Sequence, residues 1–186
     1  MDKLDSYDYW FKLPNQGGKN YRSTIVFNGL VKKLKIPTTG FCVQIGVNTG
    51  YTFNLMKKYF GEHRTRGIDL FNVNNDPYVY DLNINEIDFN IPIAYAENDV
   101  GNVNEDPVPR LNGMKWALTN LVPGGVLITT SNVANKQLGI DVDRVVKSFN
   151  CNIYRLDNYN NEDWAKYLNE RTIWNTISLM LVTKST

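Results

Sequence analysis

Phe41-Cys-Val-Gln-Ile-Gly-Val-Asn-Thr-Gly-Tyr51 and, downstream, Arg66-Gly-Ile-Asp69-Leu-Phe71 decide the fold. An apolar run ends in Gly46, and Gly50 opens a helical pattern. An Asp then closes a second short apolar run. The order strand, glycine turn, helix, strand, acid is the minimal layout of a site for an adenosine-bearing cofactor. Glycines let backbone approach such a ligand, and the acid accepts hydrogen bonds from ribose hydroxyls.

Working outward, Ser23 to Leu34 has apolar residues at helical spacing and ends in Lys32 and Lys33, cations that suit the end of a helix. Pro37 and Gly40 stop it. Phe41 to Ile45 is a continuous apolar run, as in a parallel strand covered on both faces. Thr52 to Phe60 is a helix facing inward through Phe53, Met56 and Phe60, with Gly61 as its cap. Further strands are expected at Thr65 to Leu70, Tyr78 to Leu82, Ile91 to Ala96, Val126 to Thr130, Cys151 to Leu156 and Thr176 to Thr183. Helices are expected at Leu111 to Leu121, Val142 to Phe149 and Asp163 to Leu168. This alternation predicts an α/β fold, a Rossmann-like three-layer sandwich with a seven-stranded, mostly parallel sheet. The last two strands lie close in sequence, which favours an antiparallel last strand.

The 186 residues read as a single domain, 1–186, with 1–22 as an aromatic N-terminal lid or arm. A net charge of +1, with Lys and Arg scattered, gives no phosphate-binding field for nucleic acid. No segment reaches the length of a membrane span, and Met1-Asp-Lys-Leu-Asp-Ser lacks the apolar core of a signal peptide. Cys42 and Cys151 are too few for a disulfide framework and read as buried free thiols in a reducing, cytoplasmic compartment. The abundant Asn, often paired as in Asn74-Asn75, reads as compositional bias rather than function.

From about Gly40 to Lys184 the chain resembles a class I S-adenosylmethionine-dependent methyltransferase. The resemblance rests on Gln44-Ile-Gly46-Val-Asn-Thr-Gly50, on Gly67-Ile-Asp69, and on Leu118-Thr-Asn-Leu-Val-Pro-Gly-Gly-Val-Leu-Ile128. It implies S-adenosylmethionine as cofactor, held by Gln44, Gly46, Asn48, Gly50, Asp69, Leu70, Asp81 and Glu97. Gly46, Asn48 and Gly50 match the loop that wraps the methionine part and the ribose. Asp69 matches the acid on the ribose hydroxyls, Leu70 would pack on adenine, and Asp81 would face the adenine amino group. Two positions depart from the pattern. Gln44 stands where the family commonly has an acid and can hydrogen bond an ammonium only without charge. Asn48 replaces a common glycine. The helix between Leu70 and Tyr78 is truncated.

Each candidate has a plainer alternative. Asp69 is also what a turn-capping acid looks like, and Asp81 sits in ordinary turn chemistry. Glu97-Asn98-Asp99 follows an apolar run; Asp99 is the candidate general base and catalytic residue. Trp10, Lys19 and Tyr21 are candidate substrate contacts, or part of a segment stapled to the core. His63, the single histidine, reads as a solvated loop residue, which removes a His-based triad and a multi-His metal site. Asp99 and Asn132 are a thin oxygen set for Mg²⁺, so no metal is expected.

The expected activity is methyl transfer to an O or N atom of a small-molecule acceptor, as in small O-methyltransferases. The alternatives are a catalytically degenerate binding protein of the same fold and a nicotinamide-dependent oxidoreductase. A nucleic-acid methyltransferase would need a basic stripe beside Asp99 that the sequence does not show. The oligomeric state is left open, a homodimer included.

Overall fold

The computed structural model describes residues 31, 34–48, 50–98, 100, 108–132, 141, 144–155 and 177–185. Seven strands form one sheet: β1 (Phe41–Ile45), β2 (Thr65–Asp69), β3 (Val79–Asp81), β4 (Ile93–Asn98), β5 (Leu121–Asn132), β6 (Cys151–Arg155) and β7 (Ile177–Lys184). Their order across the sheet is β3-β2-β1-β4-β5-β7-β6. The first five run parallel, and β7 is antiparallel to both β5 and β6. The expected mixed sheet with an antiparallel finish is therefore present.

Among the described residues, α1 (Tyr51–Phe60) and α2 (Val108–Asn120) cover opposite faces of the sheet. Alternation along the strands explains the three layers, because successive side chains point to opposite faces. Cys42, Tyr95, Val126 and Ile128 pack with Met56 of α1. Val43, Ile45, Ala96 and Leu127 pack with Met114, Ala117 and Leu118 of α2. Both faces of β1 are buried, as its unbroken apolar run requires.

Several boundaries differ from the sequence reading for physical reasons. β4 begins at Ile93 and continues through Glu97 and Asn98, which pair in register with Gln44 and Ile45 of β1. Their polarity hid them, but the sheet takes them in. α2 begins at Val108, three residues early, because Pro109 in the first turn needs no intrahelical N–H bond. β5 begins at Leu121, and its pairing with β4 jumps from Leu121 to Val126, so Pro123-Gly-Gly125 bulges out within the strand. The predicted segments 1–30 and 163–168 lie outside the described residues.

Candidate functional site

The strand order reverses direction between β1 and β4. In open parallel sheets, ligands bind outside the carboxyl ends of the strands at such a switch point. The 46–50 loop leaves β1 there. Gly46 N–H donates to the Ile68 carbonyl at 2.8 Å, and Gly50 N–H to that of Val47 at 3.0 Å. Asn48 and Gly50 both have positive φ, 53° and 80°. Asn tolerates the left-handed region better than other non-glycine residues, so Asn48 can stand where a glycine is common. Gly50 cannot be exchanged so easily. A Cβ there would lie 2.8 Å from Asn74 Nδ2.

Asp69, at the end of β2, binds this loop directly. Its Oδ2 accepts from Asn48 N–H at 2.6 Å, and its Oδ1 from Phe71 N–H at 3.3 Å. The turn-capping role weighed in the sequence is therefore real. Each carboxylate oxygen retains capacity for a further donor, so capping does not exclude ligand hydroxyls. Asp81 stands opposite Asp69 in the β2–β3 register and is exposed. Beside them Leu70 is 53% and Phe71 68% exposed, apolar surface suited to the face of a flat ring.

Gln44 and Glu97 sit deeper. They are register partners on β1 and β4, only 4% and 2% exposed. Gln44 Nε2 donates to the Gly46 carbonyl at 3.3 Å, bracing the loop from below. Gln44 Oε1 is buried and accepts no hydrogen bond among the described residues. The fold thus brings Gln44, Gly46, Asn48, Gly50, Asp69, Leu70, Asp81 and Glu97 to the carboxyl ends of neighbouring strands. Asp99, Trp10, Lys19 and Tyr21 lie outside the described residues. His63 is exposed in a short 3-10 turn, Glu62–Arg64.

The connector between β2 and β3 holds the residues that sequence reasoning missed. Asn72 Nδ2 donates to the Asp76 carbonyl at 2.8 Å, and Asp76 N–H returns a bond to Asn72 Oδ1 at 2.9 Å. Asn75 takes a positive φ of 50°. These Asn residues build a helix-free turn rather than reflecting composition alone. Turn chemistry was the available signal. A cavity of about 220 Å³ lies between this connector and α1, lined by Asn48, Asn54, Phe71, Asn72 and Asn74 among others.

Lys57 of α1 pairs with Asp76 and ties the connector down. Burial alone would raise the Asp76 carboxyl. The Lys57 hydrogen bond, the Tyr78 N–H and the Lys57 charge together hold it below its usual 3.8. A carboxyl lowered on folding stabilises the native state above its unfolded value and loses that effect as pH falls through the folded one. Stability should therefore hold from neutral pH down to the ordinary carboxyl value of 3.8 and decline as the pH falls below it, and Lys57→Met should flatten that limb. Urea midpoints of both proteins across the range check this; identical acid limbs would contradict it.

Cys42 is fully buried, and burial pushes its thiol up to about 12 against a smaller lowering by Arg64. It is inert packing, as expected. Cys151 is only half-buried, less than its apolar run suggested. Among the described residues, no group of three or more His, Cys, Asp or Glu could hold a metal ion. Among them, too, no helix is long and apolar enough to cross a membrane.

No family model and no curated protein matches the chain. Solved structures do. A chain from a complex that contains the Haloferax volcanii Trm112 methyltransferase activator aligns with a TM-score of 0.55 at 13% identity, covering 98% of this chain and 99% of that one. StiE O-MT aligns at 0.55 and 14%, covering 97% and 82%. Geranyl diphosphate C-methyltransferase from Streptomyces coelicolor, in complex with Mg²⁺, geranyl diphosphate and S-adenosylhomocysteine, aligns at 0.54 and 12%, covering 89% and 78%. The chain has the fold of the class I S-adenosylmethionine-dependent methyltransferases.

Proposed function

We propose that the chain binds S-adenosylmethionine and directs its methyl group to an O or N atom of a small-molecule acceptor. The observation that carries this reading is the Asp69 carboxylate, bonded to the Asn48 amide of a left-handed loop at the β1/β4 switch point. The residues present fit the cofactor. Asp69 has acceptor capacity for ribose hydroxyls, and Leu70 and Phe71 offer an apolar face for adenine. Asp81 lies within one strand of Asp69 for the adenine amino group. The buried, unmet Gln44 Oε1 can take a donor from the amino-acid part.

When bound, the cofactor supplies an electrophilic methyl group on its sulfonium. The protein's share is then alignment and exclusion of water, which explains why no catalytic cluster stands out in the sequence. Asp99 is the proposed base, and Trp10, Lys19 and Tyr21 the proposed acceptor contacts. Small-molecule acceptors agree with neighbours such as the geranyl diphosphate enzyme. A second reading keeps the pocket without methyl transfer. The cyclase SpnF shares the fold, with a TM-score of 0.53 at 10% identity, so the fold alone does not fix the reaction.

Crystals soaked with S-adenosylhomocysteine test the reading. Adenosine density over Leu70, with ribose on Asp69, is expected. Density elsewhere, or none at saturating ligand, would overturn it.

A further inference from the structure

Arg110 is a charged side chain in an unexpected place. It lies in the first turn of α2, where a cation meets the positive end of the helix dipole, and it is only 3% exposed. Taking a guanidinium out of water is unfavourable unless its donors find partners. Arg110 Nε donates to the Val100 carbonyl at 2.8 Å, and Nη1 to the Asn98 carbonyl at 3.1 Å. The grip is reciprocal. Asn98 Nδ2 donates back to the Arg110 carbonyl at 2.8 Å. Thr129 Oγ1, on the neighbouring strand, donates to the same Asn98 carbonyl at 3.4 Å. Gly113 completes the arrangement, because a Cβ there would lie 2.8 Å from Asn98 Oδ1. The helix is drawn in as close as a glycine allows.

These bonds converge where the chain leaves β4. The 46–50 loop is one lip of the switch-point crevice, and the exit of β4 is the other. We propose that Arg110 is a positioning residue for the ligand crevice, setting the backbone path out of β4 through its two carbonyl contacts. A planar fork can hold two carbonyls at once, whereas a lysine ammonium offers a single point of charge. The proposal rests on the reading that this crevice binds the adenosyl cofactor.

The test is calorimetric titration of Arg110→Lys and Arg110→Ala with S-adenosylhomocysteine, beside the unaltered chain. Both variants should bind at least about tenfold more weakly, which is 1.4 kcal/mol. Added methylguanidinium should restore affinity to Arg110→Ala, a rescue that a general loss of stability would not show. A folded variant binding within threefold of the parent overturns the proposal, as does weakened binding that methylguanidinium leaves unchanged. Should neither variant fold, hydrogen exchange of the unaltered protein decides. S-adenosylhomocysteine must slow exchange at the 98–100 amides, and no change there overturns the proposal. If the unaltered chain binds no S-adenosylhomocysteine at all, the cofactor reading fails instead.

Discussion

Asp69→Ala should lower affinity for S-adenosylhomocysteine on the order of 100-fold, the largest effect expected of any single site residue. Two charge-assisted hydrogen bonds to ribose hydroxyls, at about 1.5 kcal/mol each, account for that factor. The same substitution removes the acceptor for Asn48 N–H and Phe71 N–H, so part of the loss comes from a loosened loop. Asp69→Asn separates the two. Its amide oxygen can still accept from one backbone N–H, while the charge on the ribose is gone. Affinity falling for Asn nearly as far as for Ala, at little cost in thermal midpoint, places the effect on the ligand. Full affinity in Asp69→Asn would leave the acid with a turn-capping role only.

Gly125→Ala should be the most damaging small substitution, costing about 3 kcal/mol of folding stability in urea denaturation. Its Cβ would stand 2.7 Å from the Val122 carbonyl oxygen and 2.9 Å from that of Ile93. Both are backbone atoms, so neither can swing aside as a side chain would. The first lies within the bulge and the second at the start of β4, so relief would disturb the β4–β5 pairing at the end of the sheet opposite the crevice. Gly61→Ala is the matched control. Gly61 has a φ of 91° but nothing within 4 Å of the added Cβ. It should cost about 1–3 kcal/mol from backbone strain alone, because at ψ 143° this positive φ lies outside the left-handed well that other residues can enter. Gly125 has no positive φ, so a Gly125→Ala urea midpoint equal to the parent's would show that the backbone contacts there do not resist a Cβ.

Much of the architecture was legible because it is written in apolar runs. Phe41 to Ile45 is buried on both faces and reads as a parallel strand. The closeness in sequence of the last two strands favoured the antiparallel pairing that β7 makes with β6. The glycine loop and Asp69 were legible as a pair because order and spacing, more than either residue, define the layout. What escaped the sequence has a common cause: polar residues used inside the fold. Glu97 and Asn98 seemed to end β4, yet they continue it, and their register with Gln44 and Ile45 depends on a strand distant in sequence. The abundant Asn looked like composition, yet the helix-free connector between β2 and β3 is built on Asn72 bonded to Asp76 and on Asn75 at positive φ. Arg110 gave no signal, because it precedes the helix expected at Leu111 to Leu121 and a lone arginine shows no sign of burial. Its role depends on carbonyl positions fixed by the tertiary fold.

Those polar positions also tie the strand ends to one another. Gln44 braces the loop after β1, Asp69 joins that loop to the exit of β2, and Arg110 holds the exit of β4. Around the switch point, the strand ends are held by side-chain bonds to backbone, which is how an open sheet can offer a preformed crevice.

The most direct measurement is calorimetric titration of the unaltered protein with S-adenosylhomocysteine. Saturable binding at one site per chain is expected, weakened on the order of 100-fold in Asp69→Ala. No heat of binding at about millimolar ligand, where even a −4 kcal/mol interaction would register, would contradict it.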